Sequence, residues 1–103
     1  MLGKAKKTGF GDVLVSIRKN RVRSEILMYL YNNYPETSYP AEIAKDTGID
    51  KTNIIKGLRG AGRFDVAKSL LRQGVVEEME QGDEAYYRLS ERGKSIIESR
   101  QEA

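Results

Sequence analysis

"YPAEIAKDTGIDKTNIIKGL", residues 39–58, is the stretch that decides the architecture. Pro40 suits the first turn of a helix, where its missing N–H costs nothing. Ala41, Ile43 and Ala44 continue an apolar face, and Gly48 supplies the left-handed stop that ends many helices. Ile49 is an apolar turn residue, and Asp50 is a strong N-cap for a second helix starting at Lys51. Residues 40–59 therefore read as helix, glycine turn, helix.

That pattern is the helix-turn-helix, and the flanking residues extend it. Phe10, Val13, Leu14 and Ile17 fall on one helical face, with Asp12 as a cap. Asn20 caps a longer helix running to about Tyr34, whose inner stripe is Val22, Ile26, Leu27 and Leu30, and Pro35 stops it. "ETSYP" is a short link in which Ser38 and Tyr39 suggest a small strand. Beyond Gly60 and Gly62, Phe64-Asp65 is expected to open a further helix capped by Asp65, with Ala67, Leu70 and Leu71 inward and Gly74 at its end. "VVEEME" and "EAYYRLS" read as two strands around the turn "QGD". Ser90 then caps a last helix that buries Ile96 and Ile97. The expected fold is mainly α with one small β-hairpin: a basic flexible tail over residues 1–9 and a single domain over 10–103.

Composition narrows the chemistry. The chain has 103 residues, 39% hydrophobic and 32% charged, enough for one modest core. It holds no cysteine and no histidine, which removes disulfides, thiolate metal sites, catalytic cysteines and imidazole catalysis. Nothing resembles a calcium loop, and no nucleophile–base pair stands out. An enzyme, a metal and a cofactor are therefore not expected. No run approaches the ~18 apolar residues of a membrane span, and no signal-peptide core follows the basic N-terminus. The expectation is a cytoplasmic protein with no membrane partner.

The net charge of +3 is unevenly placed. Residues 1–35 carry seven basic and two acidic residues, residues 51–72 carry six and one, and residues 75–84 carry five acidic and none basic. A basic stripe on one helix is either an ordinary solvated face or the electrostatic footprint of nucleic-acid binding.

The stretch 39–58, followed by "LLRQGVVEE" and "YYRLSERGKSIIES", resembles a winged-helix DNA-binding domain over about residues 20–100. More narrowly, it is similar to the small winged-helix transcriptional regulators common in archaea. The resemblance implies a three-helix core, a β-hairpin wing, a recognition helix near residues 51–60, and dimerisation through terminal helices. One departure is visible. Asp50 and Gly74 lie twenty-four positions apart, further than an unbroken recognition helix of that family reaches. The surplus is the segment "GLRGAGRF", which resembles an insertion carried by some archaeal members.

With about 100° per residue, Ile54, Ile55 and Leu58 define the inner face of the helix after Asp50. Thr52, Asn53, Lys56 and Gly60 face outward, with Gly57 and Arg59 at the flanks, so neither Gly57 nor Gly60 reads as a core spacer. Thr52 and Asn53 stand in the first turn, where such helices reach base edges. Asn53 suits adenine and Arg59 suits guanine. Lys51, Lys56 and Arg63 are expected to touch phosphates, aided by basic residues around 18–23 and 63–72. The glycines either end the helix at an elbow or let backbone approach a phosphate. The tyrosines read as core and interface packing or as stacking platforms; of Tyr86 and Tyr87, at most one can lie in the core. The stripes at the two termini pack on this domain or meet a second chain. The expectation is a homodimeric, sequence-specific double-stranded DNA-binding regulator. A protein-interaction module is the alternative, because an acidic hairpin is repelled by phosphates.

Overall fold

The computed structural model describes residues 10–63 and 65–102; the expected tail, residues 1–9, lies outside them, as does Phe64. Helices α1 (Phe10–Arg18), α2 (Arg21–Asn32), α3 (Pro40–Thr47) and α4 (Lys51–Arg59) come first. A single 3-10 turn at Val66–Lys68, strands β1 (Val76–Gln81) and β2 (Glu84–Leu89), and α5 (Glu91–Glu102) complete the chain. The fold is mixed α and β, with five α-helices and a two-stranded antiparallel hairpin among the described residues.

Local chemistry sets most boundaries. The Asn20 side chain accepts from the Arg23 N–H at 3.0 Å and caps α2. Helix α2 ends at Asn32, two residues short of Tyr34, ahead of a cis Tyr34–Pro35 peptide. Pro40 occupies the first turn of α3, and Gly48, at φ 78°, ends it. Asp50 accepts from the Thr52 N–H at 3.0 Å and starts α4. Ser38 forms the expected short strand contact, exchanging backbone hydrogen bonds of 2.8 and 2.7 Å with Tyr87. At the far end, the Ser90 hydroxyl accepts from the Gly93 N–H and donates to the Gly74 carbonyl, seating α5 against the start of β1. Helix α1 already begins at Phe10, so Asp12 lies inside its first turn and is not the cap.

The segment 63–74 departs from expectation. It is not a helix capped by Asp65: only Val66–Lys68 make a 3-10 turn, and Asp65 makes no capping bond to it. Gly60 at φ 102° and Gly62 at φ 151° turn the chain back over α4. The N–H groups of Leu70 and Leu71 then donate to the Gly57 and Leu58 carbonyls at 3.2 and 3.1 Å. The segment thus bonds partly within itself, as short turns, and partly to the end of α4. Leu70 is buried as expected, but Ala67 is exposed.

One core joins all the layers. Ile26, Leu27 and Leu30 of α2 meet Ile43 of α3, Ile54 and Leu58 of α4, and Val76, Tyr87 and Leu89 of the hairpin. Helix α1 packs on α2 and α5, and Val13, Leu14, Ile17, Ile96 and Ile97 are buried in this same cluster. Fully burying each such side chain contributes about 1.5–3 kcal/mol. Val13, Leu14 and Ile17 of the first stripe and Ile96 and Ile97 of the last thus belong to the core of one chain.

Candidate nucleic-acid interface

Helix α4 is seated by Ile54, Gly57 and Leu58, all buried. This corrects the wheel drawn from sequence. A Cβ on Gly57 would stand 2.8 Å from Ile26 Cδ1 and 3.4 Å from Val22 Cγ1, so Gly57 is a spacer that lets α2 and α4 approach. Gly60 is likewise constrained, since a Cβ there would stand 2.6 Å from Val66 Cα. Ile55, expected inside, is rotated to the surface and 36% exposed.

With the helix in this orientation, Lys51, Thr52, Asn53 and Lys56 are all exposed, Lys51 toward the hairpin flank and Asn53 and Lys56 toward the α2 flank. Arg63 is exposed too, but it lies in the glycine loop beyond the helix and off this face. Arg59 is placed differently. Its Nε donates to Glu78 Oε2 and to the Tyr87 hydroxyl, both at 3.0 Å, and its Nη2 pairs with the same carboxylate oxygen. The Tyr87 hydroxyl also donates to Glu78 Oε2 at 2.6 Å. Glu78 and Tyr87 are register partners across the hairpin, so they project from the same sheet face toward α4. Burial, then the Glu78 bond, pushes the Tyr87 phenol up to about 12. The Tyr87 hydroxyl and Arg59 hold the Glu78 carboxyl below its ordinary value, and the Glu78 bond raises Arg59.

The opposite flank of α4 holds a second charged arrangement. The Arg23 side chain is only 6% exposed, and its Nη2 meets Asp65 Oδ2 at 2.5 Å. Asp65 also accepts the Ala61 N–H at 2.8 Å, which staples the glycine loop to α2. The Arg23 bond first, and that N–H second, hold the Asp65 carboxyl below its ordinary value. Asn20, Arg23, Asn53, Lys56, Gly57 and Asp65 line an open groove there. Arg23 is thus a buried structural cation, not a surface phosphate contact, and Arg21 pairs with Glu25 at 2.9 Å. Arg18, Lys19, Lys68 and Arg72 remain exposed.

Apart from Glu78, the hairpin carries its acids outward. Glu77 pairs with Arg88 at 2.8 Å, and Glu80, Asp83 and Glu84 are exposed. They line a cleft shared with Lys51, Ile55 and Arg59. The tyrosines are engaged within the chain. Tyr87 is in the core, and Tyr86 meets Tyr39 edge-on at 5.6 Å. Tyr29 donates to Asp46 at 2.6 Å, Tyr31 donates to Glu98 at 3.2 Å, and Tyr34 lies under Lys94.

Sequence reading missed Glu78 and Tyr87 as the partners of Arg59. One signal was available: Glu78 shares the strand phase of buried Val76, so its carboxylate had to face inward and find a cation. The Arg23–Asp65 pair had no local signal, since its members are 42 positions apart. Among the described residues no helix is long and apolar enough to cross a membrane.

A family model described as EarA-like matches residues 13–99. An uncharacterised protein of Methanocaldococcus jannaschii is 36% identical over 87 residues, covering 84% of this chain and 78% of its own.

Proposed function

The chain belongs to the EarA-like family, and we propose that it is a winged-helix protein that binds double-stranded DNA sequence-specifically as a transcriptional regulator. In this reading α3 and α4 are the helix-turn-helix, α4 lies in the major groove, and the hairpin is the wing. One observation carries it: Lys51, Thr52, Asn53 and Lys56 are exposed together on a helix whose other side is sunk in the core. In this reading Thr52 and Asn53, in the first turn, meet base edges, and Lys51, Lys56 and Arg63 meet phosphates. The acidic tip of the hairpin stands off the duplex. Half-site reading calls for a two-fold homodimer. Because the terminal stripes are internal, that contact falls to outward faces such as those of α1 and α2, where Val15 and Met28 are exposed.

The test is fluorescence anisotropy with a labelled random duplex across salt concentration, with molar mass measured alongside by light scattering. Binding should weaken with salt. Lys51→Ala/Lys56→Ala should flatten the log–log slope by about 1.8, or ~0.9 per lost phosphate contact. On a selected site, Asn53→Ala should erase preference while sparing random binding. Absence of binding at low salt would overturn the reading. It would favour a protein-interaction module instead, for which the exposed Glu80, Asp83 and Glu84 offer a surface to a basic partner.

A further inference from the structure

Of the six side chains that the sequence points to as DNA contacts, Arg59 is the one that forms an ion pair among the described residues. We propose, building on the DNA-binding reading, that Glu78 is a specificity-determining residue: it withholds Arg59 from random phosphates and yields it only to a base edge. The geometry points this way in three respects. Glu78 Oε2 receives the Arg59 Nε, its Nη2 and the Tyr87 hydroxyl, so one carboxylate oxygen organises the whole contact. Tyr87 cannot drift, because it is only 1% exposed and its backbone is bonded both ways to Ser38. The Arg59 side chain nevertheless stays 47% exposed, so a duplex in contact with α4 can reach it.

The exchange is selective because of what each competitor offers. A partly exposed ion pair is weak. A lone phosphate replaces Glu78 with an acceptor of the same charge and leaves the carboxylate without its cation, with only the Tyr87 hydroxyl still bonded to it. Random DNA therefore gains little by taking Arg59. A guanine edge holds O6 and N7 in fixed positions before the guanidinium fork once α4 is seated in the groove, so both bonds that Arg59 gives up are replaced together and only at that base. Arg59 is thus a contact held in reserve, and Glu78 sets the threshold for its release.

The experiment is the same salt titration on a random duplex, comparing Glu78→Gln with Glu77→Gln. The second variant changes net charge identically, but Glu77 pairs with Arg88 and not with Arg59. Glu78→Gln should steepen the slope by about 0.9 and tighten binding roughly five- to tenfold near 0.1 M salt, as one added phosphate contact requires. Glu77→Gln should leave the slope unchanged. Adding Arg59→Ala should abolish the gain. Tyr87→Phe keeps the buried ring but removes the hydroxyl, so it should shift the slope in the same direction by less. It carries the test if Glu78→Gln fails to fold. Equal effects from the two glutamate variants, or a gain that survives Arg59→Ala, would overturn the inference while leaving DNA binding intact. A wild type that binds no duplex overturns both.

Discussion

On its α2 side, helix α4 is held where a side chain is missing; on its hairpin side, it is held where charges meet. Gly57 lets the two helices close until Ile26 fills the space a Cβ would take, and the buried Arg23–Asp65 pair ties the following loop to the same flank. Across the helix, Arg59, Glu78 and Tyr87 join α4 to the strands through bonds that are partly open to water. Close packing and a buried pair respond little to salt, whereas an exposed network is screened and exchangeable. The first flank fixes where Thr52 and Asn53 point. The second leaves Arg59 adjustable.

The largest break in this contrast is expected at Asp65. Removing one partner of a buried pair leaves the other charged and unmatched, at a cost of about 3–5 kcal/mol. Asp65 is 34% exposed on its side chain, so the lower end of that range applies. Urea denaturation of Asp65→Ala should show a loss near 3 kcal/mol, and a loss below about 1 would mean that Arg23 finds water. Acid should do the same reversibly. The folded-state value of Asp65 lies below its ordinary 3.8. Its contribution is therefore complete above that value and is lost as pH falls below it, through the lowered folded-state value. Asp65→Asn should flatten the stability curve across that acid window.

That pair also marks where the sequence stopped being legible. The caps at Asn20, Asp50 and Ser90, the stop at Gly48 and the hairpin turn depend on neighbours a few positions away, and each was read from residue type. Segment 63–74 was read as a helix by the same local logic. It fails because Leu70 and Leu71 bond to carbonyls of α4 and Asp65 bonds to Arg23 of α2, partners that no local pattern marks. Gly57 reads as a flank residue when Ile55 is counted as core; only the packing of α2 shows which of the two faces inward. Among the expected contact residues, Thr52, Asn53 and Lys56 are exposed where the periodicity puts them, and Lys51 is exposed too. The engagement of Arg59 needed the hairpin register.

Gly57→Ala tests the close-packed flank alone, and its sign is diagnostic. At an exposed helical site the change would stabilise by about 1 kcal/mol through helix propensity. Here the new methyl group enters a filled space, and overpacking costs about 1–3 kcal/mol. A net destabilisation of roughly 1 kcal/mol in urea melts is expected. A gain in stability would show that Ile26 and Val22 repack freely, and that the spacing of α2 and α4 is not what orients the exposed turn.

The smallest effect on stability is expected at Arg59, and its smallness is the substance of the comparison. The pair with Glu78 is partly exposed, and such pairs contribute about 0–1 kcal/mol and weaken with salt. Arg59→Ala should therefore lower stability by less than about 1 kcal/mol at low ionic strength, and by still less near 1 M salt, where the Debye length is only ~3 Å. A guanidinium that contributes so little to the fold can be surrendered to a ligand without unfolding the hairpin that held it. A loss well above 1 kcal/mol that salt does not reduce would instead make Arg59 a structural strut like Arg23. The two flanks of α4 would then work by the same physics, and Arg59 could not be a contact held in reserve.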